Sequence, residues 1–231
     1  MNCIIFSKDR PLQLDCLLRS IYYHCDIFEV MTVLYTTKYK ESYERLNKQY
    51  YGVVFKEEKN FKEDFLNILR DNHTCIFVDD DIVFREVSPF DVSMLMDEVD
   101  IVSLRLGDNI RKKEHFDYKS SVDGNIFPTA ILKKLTHEDF INPNQLESKL
   151  RKYVKDKTMG WFKESRVVGI PANRVSDTSG CSHLNITTDI LHELWLKGYV
   201  IDFQIMDLEH HNVHKNIDYA YKLGKNSGIM S

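Results

Sequence analysis

The chain has 231 residues, is 43% hydrophobic and 29% charged, and carries a formal net charge of −4. That length fits one large domain or two small ones closely packed, with enough chain to bury a substantial core. The mildly acidic balance argues against wholesale nucleic-acid binding, which usually shows a basic face, but not against a local cationic groove for a phosphorylated small molecule.

The first hundred residues alternate strand and helix signals. Cys3-Ile4-Ile5-Phe6 is a short apolar run, as in a strand covered on both faces. Pro11 suits a first helical turn, and Leu14, Leu17, Leu18 and Ile21 then form a helical apolar stripe. A second strand is expected over Val30 to Tyr35, a polar helix over Glu41 to Tyr50, and a third strand at Val53-Val54-Phe55. Asn60 can cap a helix whose Phe61, Phe65, Ile68 and Leu69 share a face. Cys75 to Val78 makes the fourth strand. Such alternation implies a mostly parallel sheet with right-handed crossovers, whose ligands bind at the carboxyl ends of the strands.

The second half is less regular. Strands are expected over Asp100 to Leu104, Ile126 to Leu135 and Tyr199 to Ile205. Asn142-Pro143 opens a helix with Leu146, Leu150 and Val154 inward, and Thr187 or Thr188 opens another with Ile190, Leu191, Leu194 and Trp195, closed by Gly198. There is no internal repeat and no linker rich in Gly, Pro or Ser, so a single compact domain is expected. The five cysteines (Cys3, Cys16, Cys25, Cys75, Cys181) contain no C-x-x-C pair, and three lie in apolar stretches as small hydrophobes. No leader-like segment opens the chain, and no apolar run approaches the roughly 20 residues that span a bilayer. A cytoplasmic, reduced protein is expected, with peripheral membrane contact left open.

"CIFVDDDIVF" (75–84) carries the chemistry. Three adjacent carboxylates resist burial unless paired or bound to a cation, yet apolar residues flank them on both sides. Aspartates two apart at a strand end can direct oxygens to one hard cation, which in turn can hold a diphosphate. A surface turn with one Asp capping a helix is the plainer alternative. A haloacid-dehalogenase-type phosphatase would need D-x-D-x-T after the first strand, and a receiver domain a lone strand-end Asp; neither pattern is present.

Asp79-Asp80-Asp81 in this setting resembles the D-x-D motif of GT-A fold glycosyltransferases. "IIFSKDRPLQLDCLLRSI" is similar to the first strand and helix of glycosyltransferase family 2-like members, as are "GNIFPTAIL" (124–132), "NPNQLESKL" (142–150), "GIPANRV" (169–175) and the His-bearing C-terminal part. No Q-x-x-R-W segment appears, which argues against a processive polysaccharide synthase. The resemblance implies a GT-A (Rossmann-like) α/β fold in one domain, with a mostly parallel central sheet flanked by helices. Residues 1–106 would form the nucleotide-sugar half and 107–231 the acceptor half.

The implied activity is transfer of a sugar, as in a hexosyltransferase, from a nucleoside diphosphate donor, UDP by preference, to a hydroxyl of a glycan or lipid-linked acceptor. Bacterial or viral surface-glycan (polysaccharide) assembly is the natural setting. Ser7, Lys8, Asp9, Arg10 and Lys62 would contact the nucleotide, although Lys8 to Arg10 also suit a solvated loop and Lys62 and Asp64 solvated helix positions. Asp79 or Asp80 would take the ribose. Asp81, with Asp79, would hold Mn²⁺ or Mg²⁺, and His211 or His214 would complete its coordination, a plain surface His cluster being the alternative. Gly124 and Asn125 would border the donor sugar, although a turn before Ile126 explains Gly124 equally well, and Asn173 would touch the acceptor or serve only as a turn former. Glu147 is the candidate base, with Asp139 and Glu138 behind it; an acid answering a helix dipole is the simpler reading of Glu147. Arg105 could bind a phosphate, though an exposed strand-end Arg is commoner. A sugar-nucleotide nucleotidyltransferase would need a glycine-rich loop where "SKDRP" stands, and a non-catalytic carbohydrate-binding module would have little use for the carboxylates.

Overall fold

The structure, a computed structural model, describes residues 1–110, 117–173, 186–210, 212–215 and 223–225. β1 (Asn2–Lys8), β2 (Val30–Thr36), β3 (Val53–Glu57) and β4 (His73–Val78) alternate with α1 (Pro11–His24), α2 (Lys40–Gln49) and α3 (Phe61–Asn67). Next come a short strand β5 (Asp81–Val83), α4 (Pro89–Glu98), β6 (Ile101–Gly107), β7 (Asn125–Pro128), α5 (Thr129–Lys133), α6 (Pro143–Val154), β8 (Met159–Phe162) and β9 (Val167–Gly169). The described chain closes with α7 (Thr188–Leu196), β10 (Tyr199–Ile201) and β11 (Leu223–Lys225).

Seven strands form one sheet in the order β3-β2-β1-β4-β7-β6-β8, in which only β7 runs against its neighbours. Alternate residues of each strand feed opposite cores, because a strand points successive side chains to opposite faces. Cys3 and Ile5 pack with Leu14 and Leu17 of α1, Leu46 of α2 and Leu191 of α7. Ile4 and Phe6 pack with Phe61 and Phe65 of α3, Leu132 of α5 and Leu146 of α6. Burial on both faces explains why the parallel strands are apolar without alternation. The caps expected at Asn60, Asn142 and Thr187 form: their side chains accept from Glu63 N, Gln145 N and Ile190 N.

Strand order decides where a ligand can sit. From β1 the chain moves outward to β2 and β3, then returns past β1 to β4 on its other side. The carboxyl ends of β1 and β4 therefore flank the crevice where the order reverses, the position at which open α/β sheets bind ligands. Ser7-Lys8-Asp9-Arg10 leaves β1 at this point, and Asp79-Asp80-Asp81 leaves β4.

Two expectations are corrected. The strand expected over Ile126 to Leu135 stops at Pro128, which has no N–H to extend a ladder. The chain turns there into α5 and a 3-10 turn (Lys134–His137), burying Ile131, Leu132 and Leu135 with helical spacing. The strand expected over Tyr199 to Ile205 ends at Ile201, because Asp202 accepts from Gln204 N and winds Phe203–Ile205 into a 3-10 turn. α4, β8 and β9 were not expected, although Ser88-Pro89 is a cap-and-proline start and Ser88 Oγ does accept from Asp91 N. Cys3, Cys16 and Cys75 are buried and, like Cys25, unbridged. Among the described residues no helix is long and apolar enough to cross a membrane.

Candidate active site

The first group of site residues closes around Arg10. Asp9 takes a left-handed conformation (φ 57°) between β1 and α1, which Asp tolerates better than most residues. Its carboxylate does not cap α1 but accepts from Lys38 N at 2.7 Å. Arg10, 7% exposed, donates from Nη1 to Asp79 Oδ1 and to Asp80 Oδ2, both at 2.9 Å. Its Nη2 donates to the carbonyl of Asn173. Ser7 Oγ (2.9 Å) and Lys8 N (3.0 Å) donate to the second oxygen of Asp79. Tyr43, stacked on Tyr35, shares a 2.6 Å hydrogen bond with Ser7 Oγ and accepts from Arg10 N. Burial pushes the Asp79 carboxyl up while the Arg10 guanidinium pulls it back. Ser7, Arg10, Asp79 and Asp80 thus meet in one network, whereas the Lys8 side chain is exposed.

The second group surrounds Asp81, which is 1% exposed. Its Oδ2 accepts from Val78 N at 3.1 Å, closing the turn, and its Oδ1 has no hydrogen-bond partner. β5 pairs antiparallel with β9, setting Asp81 opposite Gly169. Against Gly169 lies Arg105, which is also 1% exposed, contrary to the exposed strand-end position expected of it. Its guanidinium donates to Asp123, to the carbonyl of Val213 (2.9 Å) and to His214 Nδ1 (2.8 Å). Burial opposes this charge, and Asp123 with Asp81 holds it in place. Burial first, then Asp123, raises the Asp81 carboxyl well above the ordinary range.

Glu147 reaches the same cluster from α6. It lies beyond the first helical turn, so the dipole reading does not account for it. Its Oε1 accepts instead from Val122 N at 2.9 Å. Burial and then the charge of Asp123 push its carboxyl up to about 7, which suits an acid or base working near neutrality.

Of the other candidates, the acids Asp139, Glu138 and Asp64 lie elsewhere. Asp139 is fully exposed and pairs with Lys62 at 3.3 Å, while Glu138 pairs with Lys152 and Tyr153. Asp64 accepts from Lys59 N and Asn60 N and pairs with Lys56. Gly124 supplies a left-handed turn (φ 77°) before β7, and Asn125 is buried with its amide on the Tyr118 carbonyl. His214 faces the Arg105 cation, an environment that opposes a second cation at the same nitrogen. His211 lies outside the described residues. Gln13, Tyr43 and Asp123 join the site without having been expected, whereas Arg105, already a candidate, stood out as a lone charge between Leu104 and Leu106.

Gln13, Asp79, Asp80 and Asp81 line a cavity of about 10 Å³, room for one water-sized body. Besides Asp81 Oδ1, Gln13 Oε1 is buried without a partner. Unsatisfied oxygen acceptors of this kind suit Mg²⁺ or Mn²⁺. Among the described residues no group of three or more His, Cys, Asp or Glu could hold a metal ion by itself, so a cation here would complete its shell with substrate oxygens and water.

Gly169 is a tight point in this arrangement. A Cβ there would lie 2.5 Å from Arg105 Nη2 and 3.1 Å from His214 Nδ1. Gly169→Ala is expected to cost about 1–3 kcal/mol through overpacking. A urea midpoint equal to that of the parent would show that the guanidinium has room to move.

The sheet order and its flanking helices define an α/β domain built on a mostly parallel, Rossmann-like central sheet, with the carboxylates at its switch point. Among solved structures the chain is similar to S. aureus TarS residues 1–349, with a TM-score of 0.52 and 14% identity over 72% of this chain and 60% of that one. A longer S. aureus TarS structure matches with a TM-score of 0.51 and 14% identity, covering 72% of this chain and 36% of that one. The chain thus spans about three fifths or less of the length of these neighbours. At this identity the likeness concerns the fold. No protein-family model and no curated protein matches the chain.

Proposed function

We propose that the protein is a glycosyltransferase that moves a sugar from a nucleoside diphosphate donor to a hydroxyl of a glycan or lipid-linked acceptor. The observation that carries this reading is the buried Asp79-Asp80-Asp81 turn at the switch point of the sheet, clamped by Arg10 and backed by Arg105. A ligand that brings a diphosphate to this crevice meets Ser7, the Lys8 backbone and the carboxylates at once. Asp80, the least buried of the three, would take ribose hydroxyls. The Asp81 and Gln13 oxygens would hold Mn²⁺ or Mg²⁺. Such a cation, when bound, neutralises charge on the leaving diphosphate.

Glu147 is the base in this reading. Its carboxylate receives the proton of the acceptor hydroxyl as the new bond forms, and Asp123 keeps its affinity for that proton high. Transfer is therefore expected to rise with pH through about 7, the value to which Glu147 is pushed, and Glu147→Gln should abolish that ascending limb. The same shift sets a stability trend. A carboxyl raised in the folded state contributes stability below its ordinary value of 4.5, and this is lost as pH rises through about 7. Parent and variant should then differ in the pH dependence of unfolding across that window. Unchanged profiles in both assays would remove Glu147 from the role.

The test of the whole reading is a thermal-shift panel of UDP, GDP, CDP and dTDP, each with Mn²⁺ and again with EDTA. A ligand selective for the folded state raises the melting temperature by mass action. One nucleotide, UDP first among them, is expected to stabilise the protein with metal and to lose most of that effect with EDTA. No stabilisation by any of the four at millimolar concentration would overturn the assignment.

A further inference from the structure

A cavity of about 470 Å³ opens at the far end of α1, in the size range of small-ligand sites. Helical rise puts it about 16 Å along α1 from Gln13. Both cavities draw on α1, the chain through β5 and residues 201–209, and Ile170 completes the smaller one.

Its lining combines rings with hydrogen-bonding side chains. Tyr23 is 65% exposed, although its ring meets Phe203 edge-on at 6.1 Å and His24 at 4.7 Å. Phe84, next after β5, completes the aromatic wall. Gln204, Asp207 and Glu209 supply the polar part. Both carboxylates are already neutralised, Asp207 by Lys215 at 3.1 Å and Glu209 by Arg85. The rim therefore offers acceptors and donors with little net charge. Among the described lining residues a cationic ligand would find no unpaired acid, and a phosphate only the His24 imidazole, whose proton affinity burial lowers. A pyranose has a C–H face that packs on an aromatic ring and a circumference of hydroxyls that bond to carboxylates and amides, so it matches both halves of the lining.

We propose that this cavity binds a neutral oligosaccharide. It lies at the edge of the sheet opposite the carboxylates, since α1 runs back from the carboxyl end of β1 to the start of β2, and the proposal does not rest on the glycosyl-transfer reading. The test is saturation-transfer NMR with cellotetraose, maltotetraose and the N-acetylglucosamine tetramer, and with choline as a charged comparator, on the full chain without donor.

At least one tetrasaccharide is expected to receive saturation at its ring C–H protons. Tyr23→Ala and Gln204→Ala, both at exposed positions, should each weaken that binding by about fivefold, while Asp81→Asn leaves it intact. Absence of binding by all three sugars, indifference to Tyr23→Ala, or preference for choline would overturn the proposal. Failure of the nucleotide panel with sugar binding intact would instead remove the transferase reading and leave the site standing.

Discussion

Arg10→Ala is expected to lower the unfolding free energy by about 3–5 kcal/mol, the range for removing one partner of a buried ion pair. The guanidinium is the cation between Asp79 and Asp80 and also ties the Asn173 carbonyl to the end of β1. Without it, two adjacent carboxylates, one of them fully buried, face each other with only Ser7 Oγ and Lys8 N to hold Asp79. Equilibrium denaturation should show the loss at neutral pH and a smaller loss in acid, where protonation relieves the repulsion. Arg10→Lys should recover only part of the stability, because one ammonium cannot fork to Asp79, Asp80 and a carbonyl in fixed directions. A loss below about 1 kcal/mol for Arg10→Ala would mean that this network is solvated in solution.

Asp81→Asn should separate stability from function. Asn nearly matches Asp in shape and can still accept from Val78 N, so the turn is preserved. It removes a buried carboxyl whose proton affinity burial and Asp123 raise against the pull of Arg105, and which has one oxygen without a partner. Fold stability should therefore hold or rise, by about 1 kcal/mol, as when a functional site gives up a strained group. Sugar transfer, by contrast, should fall about 100-fold or more, the scale of losing charge stabilisation at a leaving diphosphate. Denaturation and donor turnover on one preparation would check both halves. A variant as active as the parent would show that Asp81 serves only the turn. One that is inactive and markedly unstable would place its role in folding.

Much of the fold was legible from local pattern. Continuous apolar runs at Cys3–Phe6 and Cys75–Val78 declare buried parallel strands, and Asn60, Asn142 and Thr187 declare helix starts, because these features depend on residues within one or two turns of each other. The triplet stood out for the same reason: three acids inside an apolar stretch conflict with their neighbours, and such conflicts mark sites. The second half was harder. β9 is three residues long and makes sense only as the partner of β5, and Pro128 ends a strand whose apolar pattern continues into a helix.

What the sequence determined by itself was the class of fold, the strand that ends in carboxylates and the end of the sheet where they emerge. Only the tertiary structure decided which cations answer those carboxylates. Arg10 meets Asp79 across 69 residues, Arg105 meets Asp123 across 18 and His214 across 109, and Gln13 meets Asn173 across 160. Such pairings cannot be read from spacing, since they follow from strand order and from the close approach allowed at Gly169. Glu147 shows the same division. Its place on a helix is local, whereas its raised affinity for a proton comes from Asp123, brought beside it by the packing of α6 against the turn before β7.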